Sequence, residues 1–343
     1  MSWMDQIKGN SPEWLLDPAM PGVRYLALRD LFNRPGNNPE LLAARKAAHE
    51  KGPIATILAK MHPDGYWVRP GPGYNPKYRS AVWSLILLAQ LGASVSEDRR
   101  IAQACAYMLD HALTVGGQFT MSGAPSGTID CLQGNLCRAL LDLGSTDARL
   151  ETAFDWMARS VTGEGVAPAD EREAPTRYYA YKCGPTFACG ANGKYPCAWG
   201  AVKVMLAFGS LPRKCHTKQI EDAVRQGVDF IFSADPATAK YPTRTGSKPN
   251  RSWWKFGFPV FYVTDLLQLA EALIDLGYGS DQRLSQTLEI IREKQDAEGR
   301  WVLDYDYSGK TWVEFGVMKQ PNPWVTLRAL RVLKKAVETE PGK

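Results

Sequence analysis

Cys183, Cys189 and Cys197 lie in the stretch Lys-Cys-Gly-Pro-Thr-Phe-Ala-Cys-Gly-Ala-Asn-Gly-Lys-Tyr-Pro-Cys, separated by five and seven residues. Thiolates are strong ligands for zinc, which takes four of them in a closed structural site or three plus water in an open one. The three glycines, two prolines and one asparagine of the stretch permit the tight turns that a chain bending around an ion needs. A fourth thiol, Cys131, follows Asp130 at the start of an apolar run, and Cys197 opens another such run. Unpaired N–H groups at helix starts favour anions, so Cys131 and Cys197 are expected to ionise readily. The ligand set read from the sequence is therefore Cys131, Cys183, Cys189 and Cys197 around Zn2+. An iron–sulfur cluster is the lesser choice for the same thiolates, because no ferredoxin-type spacing is present. Packing and redox pairing are the alternatives for these thiols, while Cys105 and Cys137 sit on apolar helix faces and read as core. Asp130 is read either as a general base on metal-bound water or as a helix cap.

These residues need helices to position them. Six apolar runs open near Val23, Arg79, Asp130, Cys197, Tyr262 and Asn322, at spacings of 51 to 67 residues, and several close on related phrases such as LLAQLGA at 87–93 and LIDLGYG at 273–279. A period of that size marks a helical repeat. Between the runs, amphipathic patterns predict outer helices over 97–112, 147–160, 217–233 and 281–295. Alternating outer amphipathic and inner apolar helices predict an all-α fold, an α/α toroid of about six inner and five to six outer helices forming one domain over residues 1–343. Long loops would gather at the N-terminal mouth of the inner helices. The run near Val23 has no evident outer partner, and 300–307 is the place for a short strand hairpin.

Hydrophobic content of 45%, charged content of 22% and a net charge of +5 belong to a globular protein without a nucleic-acid footprint. No apolar stretch reaches membrane-spanning length. The N-terminal MSWMDQIKGN lacks the layout of a signal peptide. A cytoplasmic protein is therefore expected, monomer or homodimer, with its seven cysteines reduced.

The loops ahead of the inner helices are rich in aromatic and cationic side chains. Tyr178 and Tyr179 precede the fourth inner helix, which carries Trp199; Trp254, Lys255 and Tyr262 precede the fifth. Arg79 and Trp83 come from the second, and Trp312 and Trp324 from the last. Gathered at one end of a ring they would form an aromatic bowl with a cationic rim, suited to a small apolar or aromatic substrate with a polar group. Asp265 starts the fifth inner helix in an apolar stretch. It is read either as a cap or as a catalytic acid needing a partner such as Arg79, a tyrosine or the metal.

Gln295-Asp-Ala-Glu-Gly299-Arg-Trp301 matches the Q-x3-G-x-W motif of squalene–hopene and oxidosqualene cyclases and of prenyltransferase β-subunits, and Met61-His-Pro-Asp-Gly65-Tyr-Trp67 is a weaker copy. On these motifs the chain resembles the terpenoid-cyclase/protein-prenyltransferase α/α-toroid superfamily. The resemblance implies the fold and a central site, and not the reaction. The cyclases' D-x-D-D acid is absent, with Asp304-Tyr-Asp306-Tyr the nearest string, and the prenyltransferases' zinc triad is not evident. The leading expectation is a zinc-thiolate enzyme, more a hydrolase of a small ester or phosphoester than a transferase. The alternatives are a terpenoid cyclase or isomerase using Asp265 or Asp304, and a non-catalytic binding protein with a structural zinc or iron–sulfur site.

Overall fold

The computed structural model describes residues 2–166, 181–246 and 248–338. Its regular structure is helical. Eleven helices of nine residues or more carry the architecture, and each begins where local chemistry lets it. Helix α1 (Pro21–Asp30) starts on a proline, whose missing N–H costs nothing in a first turn. Asn38 caps α2 (Pro39–Glu50) by accepting from the Leu41 amide, and Asp98 caps α4 (Arg99–His111), which follows α3 (Ala81–Gln90). Helices α5 (Asp130–Asp142) and α6 (Arg149–Thr162) come next, and α6 ends at left-handed Gly163. Then come α7 (Ala198–Ser210) and α8 (Lys218–Ile231), the latter capped by Thr217. Asp265 caps α9 (Leu266–Asp275), and α10 (Ser285–Glu293) and α11 (Pro323–Glu338) complete the set.

The odd-numbered helices are inner and the even-numbered ones outer. Every residue from Ala81 to Leu88 of α3 is buried, whereas α4, α6 and α8 bury one face only. Each inner helix packs on the next in the order α3, α5, α7, α9, α11, and α11 returns to α1. The turn after α3 closes on α1 at Gly92, where an added Cβ would stand 2.6 Å from Leu26. All six inner helices line one shared cavity.

Two details differ from the sequence reading. The run near Val23 does have an outer partner, α2; the helix without one is α11, which the N-terminal segments Trp3–Gln6 and Ser11–Trp14 cover instead. The 300–307 segment forms no hairpin, because its residues pair outward, Val302 with Pro321 and Tyr305 with Gly257.

The two copies of the Q-x3-G-x-W motif share a geometry. Trp301 Nε1 donates to the Ile291 carbonyl at 2.8 Å and Trp67 Nε1 to the Ile57 carbonyl at 2.8 Å, both indoles being buried. Gln295 Nε2 donates to the Gln6 and Arg292 carbonyls, and its Oε1 accepts from the Lys8 amide. The motif thus ties a helix end to the following turn, and at its C-terminal copy it also anchors the start of the chain.

Candidate functional site: the polar centre of the ring

The shared cavity measures about 670 Å3 and lies among the C-terminal halves of the inner helices. The sequence reading expects the site at the N-terminal mouth; the cavity lies elsewhere because of the segment between Trp254 and Asp265. It threads into the ring, where Gln90 Nε2 donates to the Val260 carbonyl, Gln90 Oε1 accepts from the Val260 amide, and Asn135 Nδ2 donates to the Phe261 carbonyl. Phe258 and Val260 face the cavity. Phe261 turns the other way and packs edge-on against Trp83 at 5.3 Å and against Tyr307 at 4.8 Å. The segment is a floor, with charged space on one side and packed aromatics on the other.

Polar side chains enter the cavity at three- and four-residue steps. Helix α5 contributes Asn135, Arg138 and Asp142; α9 contributes Gln268, Glu271 and Asp275; α11 contributes Arg328, Arg331 and Lys335. Most of them are paired. Arg138 meets Glu271 at 2.5 Å and Lys335 meets Asp275 at 2.6 Å. Burial opposes ionisation of Glu271, but Arg138 and Lys335 hold its pKa at about 2. Arg328 grips Asp265 with two nitrogens, each 2.9 Å away. Asp265 therefore has a cap role and an arginine partner, and that partner is Arg328 rather than Arg79.

Lys203 stands apart. It projects from the middle of α7, is 2% exposed and lines the cavity. Among the described residues its amine hydrogen-bonds only the side-chain oxygen of Gln268. Burial lowers its pKa to about 7; Arg328 and Arg138 push the same way, and Asp265 and Cys131 oppose them. Among the described residues, buried Gln268 Nε2 has no partner and neither has Arg331 Nε, although the same guanidinium is ion-paired with Asp30. The orphaned groups of the cavity wall are thus N–H donors.

On the far side of α5 and α7 the predicted sulfur residues gather. The two helices can approach closely because Gly200 faces Asp130 and Gly134 faces the Lys203 backbone, where added Cβ atoms would sit at 3.0 and 2.5 Å. Cys183 donates to Asp130 Oδ1 at 2.7 Å and lies 3.3 Å from Ser160 Oγ. Burial, together with the nearby Cys189, raises the Asp130 pKa to about 8. Cys197 hydrogen-bonds Cys189, which with the Ala191 and Asn192 backbone N–H groups lowers the Cys189 pKa to about 6. Burial and Asp130 push Cys131 up to about 12, and Cys197 is raised well above the ordinary value by its bond to Cys189 and by burial. Against the expected ready ionisation stand burial at Cys131, and at Cys197 the bond to Cys189 followed by burial. The thiols meet as pairs. Among the described residues no three His, Cys, Asp or Glu side chains are grouped to hold a metal ion.

The aromatic residues of the mouth are mostly packed on one another. Trp83 Nε1 donates to the Tyr74 carbonyl at 2.7 Å, Tyr262 shares a 3.0 Å hydroxyl contact with Tyr78, and Trp324 stacks on Phe258 at 4.7 Å. Trp254 Nε1 donates to the Ala237 carbonyl, Trp199 is half-buried and Lys255 is exposed. Arg79 and Trp312 do come together, with the guanidinium 5.6 Å from the indole, beside a shallow hollow at the surface. Arg79 is spent on the Gly309 and Thr311 carbonyls. Asp304 is no free acid either, because Lys319 and Lys294 overcome burial and keep its carboxyl below the usual range. Tyr178 and Tyr179 lie outside the described residues.

The sequence reading missed Lys203, Gln268 and the charged face of α11. The signal was present as a lone lysine inside Ala201-Val-Lys-Val-Met-Leu and as polar residues stepping by three and four along α5, α9 and α11. No known family model matches the chain, and no curated protein matches it.

Proposed function

We propose that the protein is an α/α-toroid enzyme of the terpenoid-cyclase-like kind whose ligand site is the central cavity, and that it takes a small molecule rich in acceptor oxygens, such as a carboxylate. One observation carries this reading: among the described residues the cavity nitrogens left without a hydrogen-bond acceptor, Gln268 Nε2 and Nε of the Asp30-paired Arg331, are both donors. A buried donor without an acceptor costs about 1–3 kcal/mol, and a ligand oxygen would recover it. Calorimetric titration with citrate, phosphate and pyruvate tests the reading. At least one should bind the wild-type protein, and the same titration of Gln268→Leu should weaken it about tenfold. Wild-type affinity in Gln268→Leu, or no binding of any of the three, would defeat it.

A second reading keeps the sulfur residues as a zinc site. Asp130, Cys131, Cys183, Cys189 and Cys197 interact across the starts of α5 and α7, and Asp130 Oδ2 is a buried acceptor without a partner. The present pairing does not form a ligand set, so no reaction step is drawn through a metal. Hydrolysis of an ester or phosphoester there would depend on the thiols first drawing together. The cyclase alternative has less support, since Asp265 and Asp304 are both ion-paired.

A further inference from the structure

Lys203 and Gln268 are adjacent buried residues of the cavity wall, and neither is fully satisfied by the described residues. The amine meets no carboxylate and bonds only the Gln268 amide oxygen, while the Gln268 amide nitrogen points a buried hydrogen at no acceptor. Both are 2% exposed. We propose that this pair is a carbonyl-binding site in which Lys203 Nζ condenses with the carbonyl carbon of a small oxo-acid to form an imine. The inference rests on the cavity being the ligand site and goes beyond it by naming the substrate class and the reacting atom.

The chemistry balances without a redox partner. The lone pair of the neutral amine forms the carbon–nitrogen bond while the carbonyl π pair moves onto oxygen, where Gln268 Nε2 donates a hydrogen bond. That oxygen then leaves as water with the two amine hydrogens, and a carbon–nitrogen double bond remains. A neutral amine is required, and a buried lysine supplies one near neutral pH. The groups acting on it are Cys131 and Arg138 from α5, Asp265 at the start of α9 and Arg328 from α11; burial outweighs the opposing influences of Asp265 and Cys131. The carboxylate of an oxo-acid can accept from Arg331 Nε, the cavity's other donor without an acceptor among the described residues, beside the guanidinium's ion pair with Asp30.

The test is reductive trapping. The wild-type protein is incubated at pH 7 with pyruvate, glyoxylate or 2-oxoglutarate and sodium cyanoborohydride, and the modified peptides are located by mass spectrometry. An ordinary lysine of pKa about 10.4 presents about one amine in 2,500 at pH 7. Lys203, about half neutral at that pH, should be trapped at least about a hundredfold faster than any other lysine with at least one of the three acids. Gln268→Leu should slow trapping about tenfold or more, and Lys203→Arg should abolish the specific adduct. The wild-type measurement stands alone if either variant folds poorly. Adducts distributed over surface lysines without preference for Lys203 would overturn the proposal. If the oxo-acids bind calorimetrically and Lys203 stays unmodified, the imine falls and the cavity reading survives; if nothing binds or reacts, both fall.

Discussion

Replacing Lys203 with methionine should stabilise the protein at low pH, by an amount that shrinks as the pH rises. The lysine's pKa falls from 10.5 to about 7 on folding. At about 1.4 kcal/mol per decade, the folded state is penalised by about 5 kcal/mol wherever both states hold the proton. A group with a depressed folded pKa favours unfolding most below that value, and its penalty disappears once the pH exceeds the unfolded pKa. The penalty is thus complete below pH 7, falls between 7 and 10.5, and is mostly gone by pH 9.5. Methionine keeps the length of the side chain in the apolar part of α7 and removes the charge. It leaves the Gln268 oxygen without its partner, a loss of about 1 kcal/mol. Urea unfolding followed by circular dichroism at pH 6, 8 and 9.5 should show Lys203→Met the more stable at pH 6 by about 3–4 kcal/mol, from the two figures above. The gap should close by about 3 kcal/mol up to pH 9.5. Taking the difference between the two proteins cancels Asp130, whose raised pKa acts with the opposite sign. A gap that stays constant with pH would refute the reasoning, as would a variant less stable than wild type at pH 6.

Other consequences are simpler to check. Gly134→Ala would put a methyl 2.5 Å from the Lys203 backbone, so α5 and α7 must separate; a loss of about 1–3 kcal/mol in urea unfolding is expected, and a loss below about 0.5 kcal/mol would contradict the close packing. Trp301→Phe removes the indole hydrogen bond to Ile291 and leaves that carbonyl buried, which should lower stability by about 1–3 kcal/mol. Thiol titration of the folded protein should modify exposed Cys215 first and reach the buried Cys105 and Cys137 only on unfolding. The zinc reading requires about one metal ion per chain by elemental analysis of the purified protein, lost in Cys189→Ser; metal-free protein would end it.

The helices were legible in the sequence because their signals are local. The apolar period and the cap at Asp265 act within a few residues, and the observed helix starts fall close to the expected ones. The loop spacing suggests one four-thiol set, Cys131, Cys183, Cys189 and Cys197, whereas the folded chain pairs Cys183 with Asp130 and Cys189 with Cys197. The direction of their pKa shifts was not legible, because burial is set by Gly134, Gly200 and the packing of whole helices rather than by a residue's place at a helix start. The position of the cavity was hidden for a similar reason. Nothing near Phe258 and Val260 announces that this segment enters the ring; its course depends on Gln90 and Asn135, distant in sequence. Once that floor is in place, the aromatic mouth becomes core and the polar steps on α5, α9 and α11 become the wall of the site.

The most direct test of the cavity as ligand site is amide hydrogen exchange on the wild-type protein with and without whichever of citrate, phosphate or pyruvate binds. Protection should rise in α5, α7, α9 and α11 around Arg138, Lys203, Gln268 and Arg331, and remain unchanged around Arg79 and Trp312. Protection confined to the Arg79–Trp312 mouth, or to the Cys183–Cys197 segment, would contradict the account.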